Sequence, residues 1–183
     1  MKIRFPFFLL AFLLAGLFLT PRPSYAKTAL EIDTKADAAL ARFKKEIYGF
    51  EDILKRSKGY LIFPKVYRGG IGIGAEYGEG ALRVNRKTVG YYNTIGGSFG
   101  FQLGGQVKTL FLFFMEDTAL KSFQASSGWK VGVDGSVALI SVGADGSIDT
   151  MKTDEPIVAV VMGQKGLMYN LTLEGSKFNK VVK

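Results

Sequence analysis

The sequence predicts an α+β fold: a mostly antiparallel, barrel-like or strongly curved β-sheet with a long N-terminal helix and a short middle helix packed on it. Three observations predict it. Apolar residues recur at helical spacing near the start, in a stripe from Ala36 to Leu54. After Gly59 the pattern is that of strands, interrupted once around Leu120 and Phe123. Asp-Gly and glycine-rich turns punctuate the remainder, as in sheets assembled from hairpins.

The first 26 residues stand apart. Lys2 and Arg4 precede a continuous apolar run of 13 residues at 7–19, Pro21 and Pro23 follow it, and Ser24 and Ala26 put small residues at −3 and −1 of a cleavage site. The expectation is a secretory signal peptide at 1–26 and a single domain at 27–183, because the run is shorter than the ~20 residues a spanning helix needs. The 183 residues include no cysteine, so disulfides and a lipidated N-terminal cysteine are both excluded. The leader carries Lys2, Arg4 and Arg22. Its removal leaves 24 less 3, or 21, basic residues against 16 acidic ones, a balance of +5. A moderately basic chain favours anionic surfaces, and for an exported one these are phospholipid headgroups rather than nucleic acid.

Thr28-Ala29-Leu30-Glu31 fits a capping box at the start of the first helix. The stripe Ala36, Leu40, Phe43, Ile47, Phe50 and Leu54 then steps by four and three residues along one face. It would pack on the sheet or, alternatively, lie in a bilayer interface. Unbroken from 29 to 56, the helix would be ~42 Å long, so Gly49 is the expected break and Gly59 the expected residue after its end.

Among the strands, Tyr60-Leu61-Ile62-Phe63 is expected to stop at Pro64. The next stretch carries glycine at 69, 70, 72, 74, 78 and 80, alternating with Ile71, Ile73, Ala75 and Tyr77. This is a strand with an apolar face and a nearly bare one, and the bare face implies close approach of a strand or helix, such as the Leu40–Phe43–Ile47 stripe. Further strands are expected at 81–84, 89–95 and 99–103, the last two flanking a Gly96-Gly97 turn, and at 106–115, which is apolar on nearly every residue. Asp117 is expected to cap the middle helix. Strands at 129–133, 136–142 and 147–151 are expected around Asp134-Gly135 and Asp145-Gly146. A hairpin of 157–162 and 167–173 turns at 164–166, and a basic tail closes the chain at 176–183.

The sequence contains no histidine, which with the absence of cysteine excludes serine–histidine triads, thiol proteases and ordinary zinc sites. Gly96-Gly97-Ser98-Phe99-Gly100 matches a nucleophile elbow in form, but no imidazole base exists and strand residues follow. Neither a dinucleotide fingerprint nor a P-loop occurs. Carboxylates fall mostly in adjacent pairs that do not face one another, such as Glu51-Asp52, and Asp145 with Asp149 falls short of a calcium loop. The reading is a non-enzyme with no cofactor and no metal.

Three basic groups flank the glycine strand: Lys55, Arg56 and Lys58; Lys65 and Arg68; Arg83, Arg86 and Lys87. On one rim, each would contribute ~1 kcal/mol toward an anionic surface.

Gly59 to Pro64, the run from Gly70 to Gly80, Gly100-Phe101-Gln102-Leu103-Gly104-Gly105-Gln106, Leu120, Phe123, Gly132-Val133-Asp134, Lys165-Gly166-Leu167 and Leu173-Glu174-Gly175 together resemble the SYLF domain, also called the yeast actin-binding-like domain. The resemblance spans about residues 36 to 180. It implies binding of phosphoinositides, partly through an N-terminal amphipathic helix, and in some members of actin. It also implies that bacterial members are exported and similar to lipid-binding envelope proteins. Carried over, the helix from Ala36 to Leu54 would approach the membrane and the cations from Lys55 to Arg68 would hold headgroups. Where the family often has tryptophan and proline, this chain has Tyr91, Tyr92 and Asn93, and tyrosine also suits a membrane interface.

The expected function is therefore binding of anionic phospholipid at a membrane surface by an exported protein, in the periplasm or peripheral to the outer membrane. The helix stripe with Tyr91 and Tyr92 would insert, and the basic rim would attract. The alternatives are a protein-interaction or scaffold module with an envelope partner, and an integral outer-membrane barrel. The barrel fits poorly with a 106–115 strand apolar on both faces.

Overall fold

A computed structural model describes residues 27–140, 142, 155–165, 173 and 175–183. In chain order the elements are α1 (Ala29–Glu46), α2 (Phe50–Arg56), β1 (Gly59–Val84), β2 (Lys87–Phe114), α3 (Asp117–Ala125), β3 (Gly128–Lys130), β4 (Ala138–Ile140), β5 (Ile157–Lys165) and β6 (Lys177–Val181).

Thr28 caps α1 as its pattern requires, its hydroxyl accepting the Glu31 N–H at 3.2 Å. Gly49 at φ 80° separates α1 from α2, the left-handed break that glycine adopts without a Cβ penalty. Ser57, not Gly59, is the residue after α2, and Gly59 already opens β1. The stripe lies on the sheet: Ala36, Phe43, Ile47 and Phe50 are at most 5% exposed, and Leu40 and Leu54 are partly buried on the same cluster. The Phe43 ring lies 4.2 Å from Phe111 and 4.3 Å from Phe50. This apolar face is spent on the core, so the expected insertion of the helix into a membrane is not open to it in this fold.

β1 and β2 form one long antiparallel hairpin, in register from Gly59 opposite Phe114 to Val84 opposite Lys87. Its turn is Asn85-Arg86, with φ of 50° and 64°, the left-handed pair of a type I′ hairpin. Two expected interruptions do not exist. Pro64 sits inside β1 where the register shifts between Phe63 and Val66, a place where a missing N–H breaks no ladder. Gly96 and Gly97 are ladder residues opposite Glu76 and Ala75, not a turn.

A straight strand of 26 residues would reach ~85 Å. β1 instead doubles back on itself. A Cβ on Gly80 would strike the Ile62 carbonyl and lie 2.7 Å from the Phe63 ring, and one on Gly78 would lie 2.9 Å from Val66 Cγ2. The close neighbour of the bare face is thus the beginning of the same strand, not the α1 stripe. The two faces are also exchanged relative to expectation. Gly74, Glu76, Gly78 and Gly80 point inward, whereas Ala75 and Tyr77 face solvent. The side chains of Ile71 and Ile73 lie outside the described residues.

β2 is the central strand of a mostly antiparallel, strongly curled half-barrel. Beyond β1, its two ends pair with β6 (Tyr91 opposite Val181) and β5 (Phe114 opposite Ile157). β3 extends β6, and β4 adds to β5 in parallel. Asp134-Gly135 does turn, with the Lys130 N–H donating to Asp134 Oδ2 at 2.7 Å, but β3 and β4 pair with other strands rather than with each other. Glu116, not Asp117, is the residue before α3. The Asp145-Gly146 turn, the 147–151 strand and most of 166–173 lie outside the described residues.

Alternation along β2 divides the core in two. Leu110, Leu112 and Phe114 face inward with Leu61, Phe63, Phe123 and Phe178. Phe111 and Phe113 face the helix side with Phe43 and Phe50. A strand buried on both faces reads as a continuous apolar run, which explains 110–114 within the expected 106–115 strand. Toward the bend the inner side turns polar: Arg68, Glu76, Gln106 and Lys108 are all at least 93% buried, and Lys108 Nζ lies 2.7 Å from Glu76 Oε2.

Candidate anion-binding site

The expected cations do not form one rim. Three of them, Lys55, Lys58 and Arg86, line a single cleft of about 260 Å³ where the end of α2 meets the hairpin turn. Lys44 from α1 joins them, a residue the sequence reading missed because it lies on the polar side of the helix stripe. Tyr60, Ser57 and Asn85 add polar groups, and Glu51 is the one acid in the lining. Lys44 and Lys55 approach Glu51 at 3.7 and 3.9 Å, loose and exposed pairs that leave both ammonium groups available to a stronger anion. The local sequence accounts for the convergence. Cations in the last turn of α2 complement its carbonyl end, and the tight Asn85-Arg86 turn projects Arg86 toward them. Burial raises the phenol pKa of Tyr60, with the Arg83 and Arg86 charges working against it, so at neutral pH the hydroxyl is a donor and adds no negative charge.

The remaining expected residues are placed elsewhere. Arg56, Lys65 and Lys87 are exposed but do not line the cleft. Arg68 is buried toward the bend. Arg83 reaches Asp33 at 3.1 Å and Asp37 at 2.9 Å, fastening α1 to the hairpin. Tyr91 donates to Asp33 Oδ2 at 2.7 Å, and Thr88 donates to Oδ1 at the same distance. Burial first and then the Asp33 contact raise the Tyr91 pKa, which fits a bound phenol. Tyr92 is 1% exposed, with its ring 4.9 Å from Phe123. Tyr91 and Tyr92 are therefore corrected from inserting residues to structural ones: one is tied down by a carboxylate, the other is core.

Among the described residues no group of three potential metal ligands occurs, and no helix is long and apolar enough to cross a membrane. Residues 95–181 match the family described as Ysc84: Las17-binding protein actin regulator, which is the SYLF family that the sequence resembles, and this match indicates a binding or scaffold module. A search of curated proteins gave no match.

Proposed function

We propose that the protein binds anionic phospholipid headgroups at a membrane face, using the cleft of Lys44, Lys55, Lys58 and Arg86. The observation that carries this reading is the gathering of four cations from three separate elements around one acid. An ordinary solvated surface intersperses the two signs. The arrangement is electrostatic and exposed, so binding is salt-sensitive, with screening beyond ~10 Å at ~0.1 M. Export of the chain, with the headgroup met in the periplasm or at the outer membrane, is part of this proposal and follows from the leader pattern. Co-sedimentation with vesicles of phosphatidylcholine, with and without phosphatidylglycerol, tests it. Preferential pelleting with the anionic vesicles, reversed by salt, is expected; equal pelleting with both compositions overturns it.

The family description, which names a Las17-binding actin regulator, favours a second reading in which the same cleft holds an acidic protein segment. A stoichiometric protein partner retained after lipid removal, and lost with the cleft cations, would support it.

A further inference from the structure

α1 covers the helix side of the sheet but not at the bend. It begins beside Glu79, whose Oε2 lies 3.8 Å from Lys27 Nζ. Past that point Tyr77 and Ile95 face solvent, 45% and 49% exposed. They are direct partners in the ladder, which continues from Ile95 to Lys177 and from Lys177 to Lys130. Residues directly opposite in antiparallel strands share a face, so one row reads Tyr77, Ile95, Lys177, Lys130. Both lysines are exposed, and neither has an ion-pair partner among the described residues. Beside the row, Tyr67, Ala75, Tyr77 and Val107 wall an open apolar groove of about 370 Å³.

We propose that this row and groove form a bilayer-contact face for an anionic membrane. Two observations choose a bilayer as the occupant. First, exposed apolar side chains run directly into lysines whose ammonium groups have no ion-pair partner among the described residues. Tyrosine and lysine, each with an apolar body and a polar tip, suit the headgroup boundary. Second, the chain enters the described fold at Lys27, beside this face, with only seven residues between it and the apolar run at 7–19. Seven extended residues span at most ~25 Å, so until the expected cleavage after Ala26 a membrane that holds the leader has this face close by. The inference rests on the anionic-lipid reading but uses different residues. The cleft includes Lys44 near the far end of α1, and α1 is ~27 Å long.

The test compares variants of the chain from Lys27 onward, which contains every described helix and strand. Tyr77→Thr with Ile95→Thr keeps strand-forming residues while removing the apolar surface. We expect its partition onto phosphatidylcholine–phosphatidylglycerol vesicles to fall roughly tenfold. Binding of soluble glycerol phosphate, which reads the cleft alone, stays as in the parent. Lys130→Glu with Lys177→Glu, both exposed, gives an independent reading should the first variant fold poorly, and partition is expected to fall several-fold. Unchanged partition in a folded variant overturns the proposal. So does a parent dimer, seen by sedimentation velocity, that the Tyr77–Ile95 variant dissociates, because the face is then an interface between copies. If Lys55→Glu with Lys58→Glu leaves glycerol phosphate binding intact while the face variants lose vesicles, the cleft reading fails and this one stands.

Discussion

Gly80 lies against the backbone of Ile62 on its own strand, so close that a Cβ would sit 2.9 Å from the Ile62 carbonyl carbon. This contact lets β1 fold across itself, and the inner core forms between its two halves. Gly80→Ala is therefore expected to cost about 3 kcal/mol, or to prevent folding, since the obstacle is backbone and cannot yield. Gly97→Ala, whose nearest neighbouring atom would be 3.9 Å away, should stay within about 0.5 kcal/mol of the parent. Urea unfolding of both variants checks this, and a parental midpoint for Gly80→Ala would refute the doubled-back strand.

The Lys108–Glu76 pair makes a different prediction. Lys108 is 1% exposed and Glu76 7%, so removing either partner leaves a charge in the interior. Lys108→Met alone is expected to cost about 3–5 kcal/mol, whereas Lys108→Met with Glu76→Leu should recover most of that loss. Chemical denaturation of the three proteins measures the coupling. Additive losses would mean that the two charges do not depend on one another.

Asp33 joins α1 to the hairpin by accepting from Arg83, Thr88 and Tyr91. Asp33→Ala orphans the Thr88 and Tyr91 hydroxyls at a partly buried junction, while Arg83 keeps Asp37, and is expected to cost about 2 kcal/mol. Hydrogen exchange should then quicken through α1 sooner than through the central part of β2. Uniform quickening would show that α1 is not a separately held element.

Burial raises the Tyr92 phenol pKa above its ordinary value of 10.0. The folded form thus holds its proton more tightly than the unfolded chain does. The stability this contributes is complete below pH 10.0 and is lost as pH rises through the higher folded value. Tyr92→Phe should unfold at a higher pH than the parent in an alkaline titration followed by circular dichroism. An identical or lower unfolding pH would contradict the assignment.

Local signals read well from the sequence where one residue's chemistry decides the outcome. The Thr28 cap, the Gly49 break, the helix stripe and the doubly buried 110–114 part of the 106–115 run all depend on short-range pattern, and all hold. Pro64 and Gly96-Gly97 misled because breakers mark a turn only when nothing outside the segment pairs with them, and here the opposite strand does. The glycine alternation gave the period but not the direction. Ile71, Ile73, Ala75 and Tyr77 suggest an apolar core face, yet backbone crowding at Gly78 and Gly80 puts the bare face inside and leaves Tyr77 outside. For the site, the basic groups could be named but not their convergence. Arg83 is drawn off by Asp33 and Asp37, Arg68 is buried, and Lys44 enters only because α1 ends beside the hairpin turn. Tyr91 and Tyr92 read as interfacial because residue type alone does not tell a buried phenol from an exposed one.

The central claim is that the cations of the cleft hold an anionic headgroup. Its most direct measurement is the affinity for phosphatidylglycerol-containing vesicles of Lys55→Glu combined with Lys58→Glu, set against Lys121→Glu, an exposed charge on α3 outside the cleft. The account predicts a loss of roughly tenfold or more for the cleft variant and little change for Lys121→Glu, since each cation contributes ~1 kcal/mol and each reversal also adds repulsion. Equal losses in the two variants would show that net charge alone drives binding and would contradict a built site.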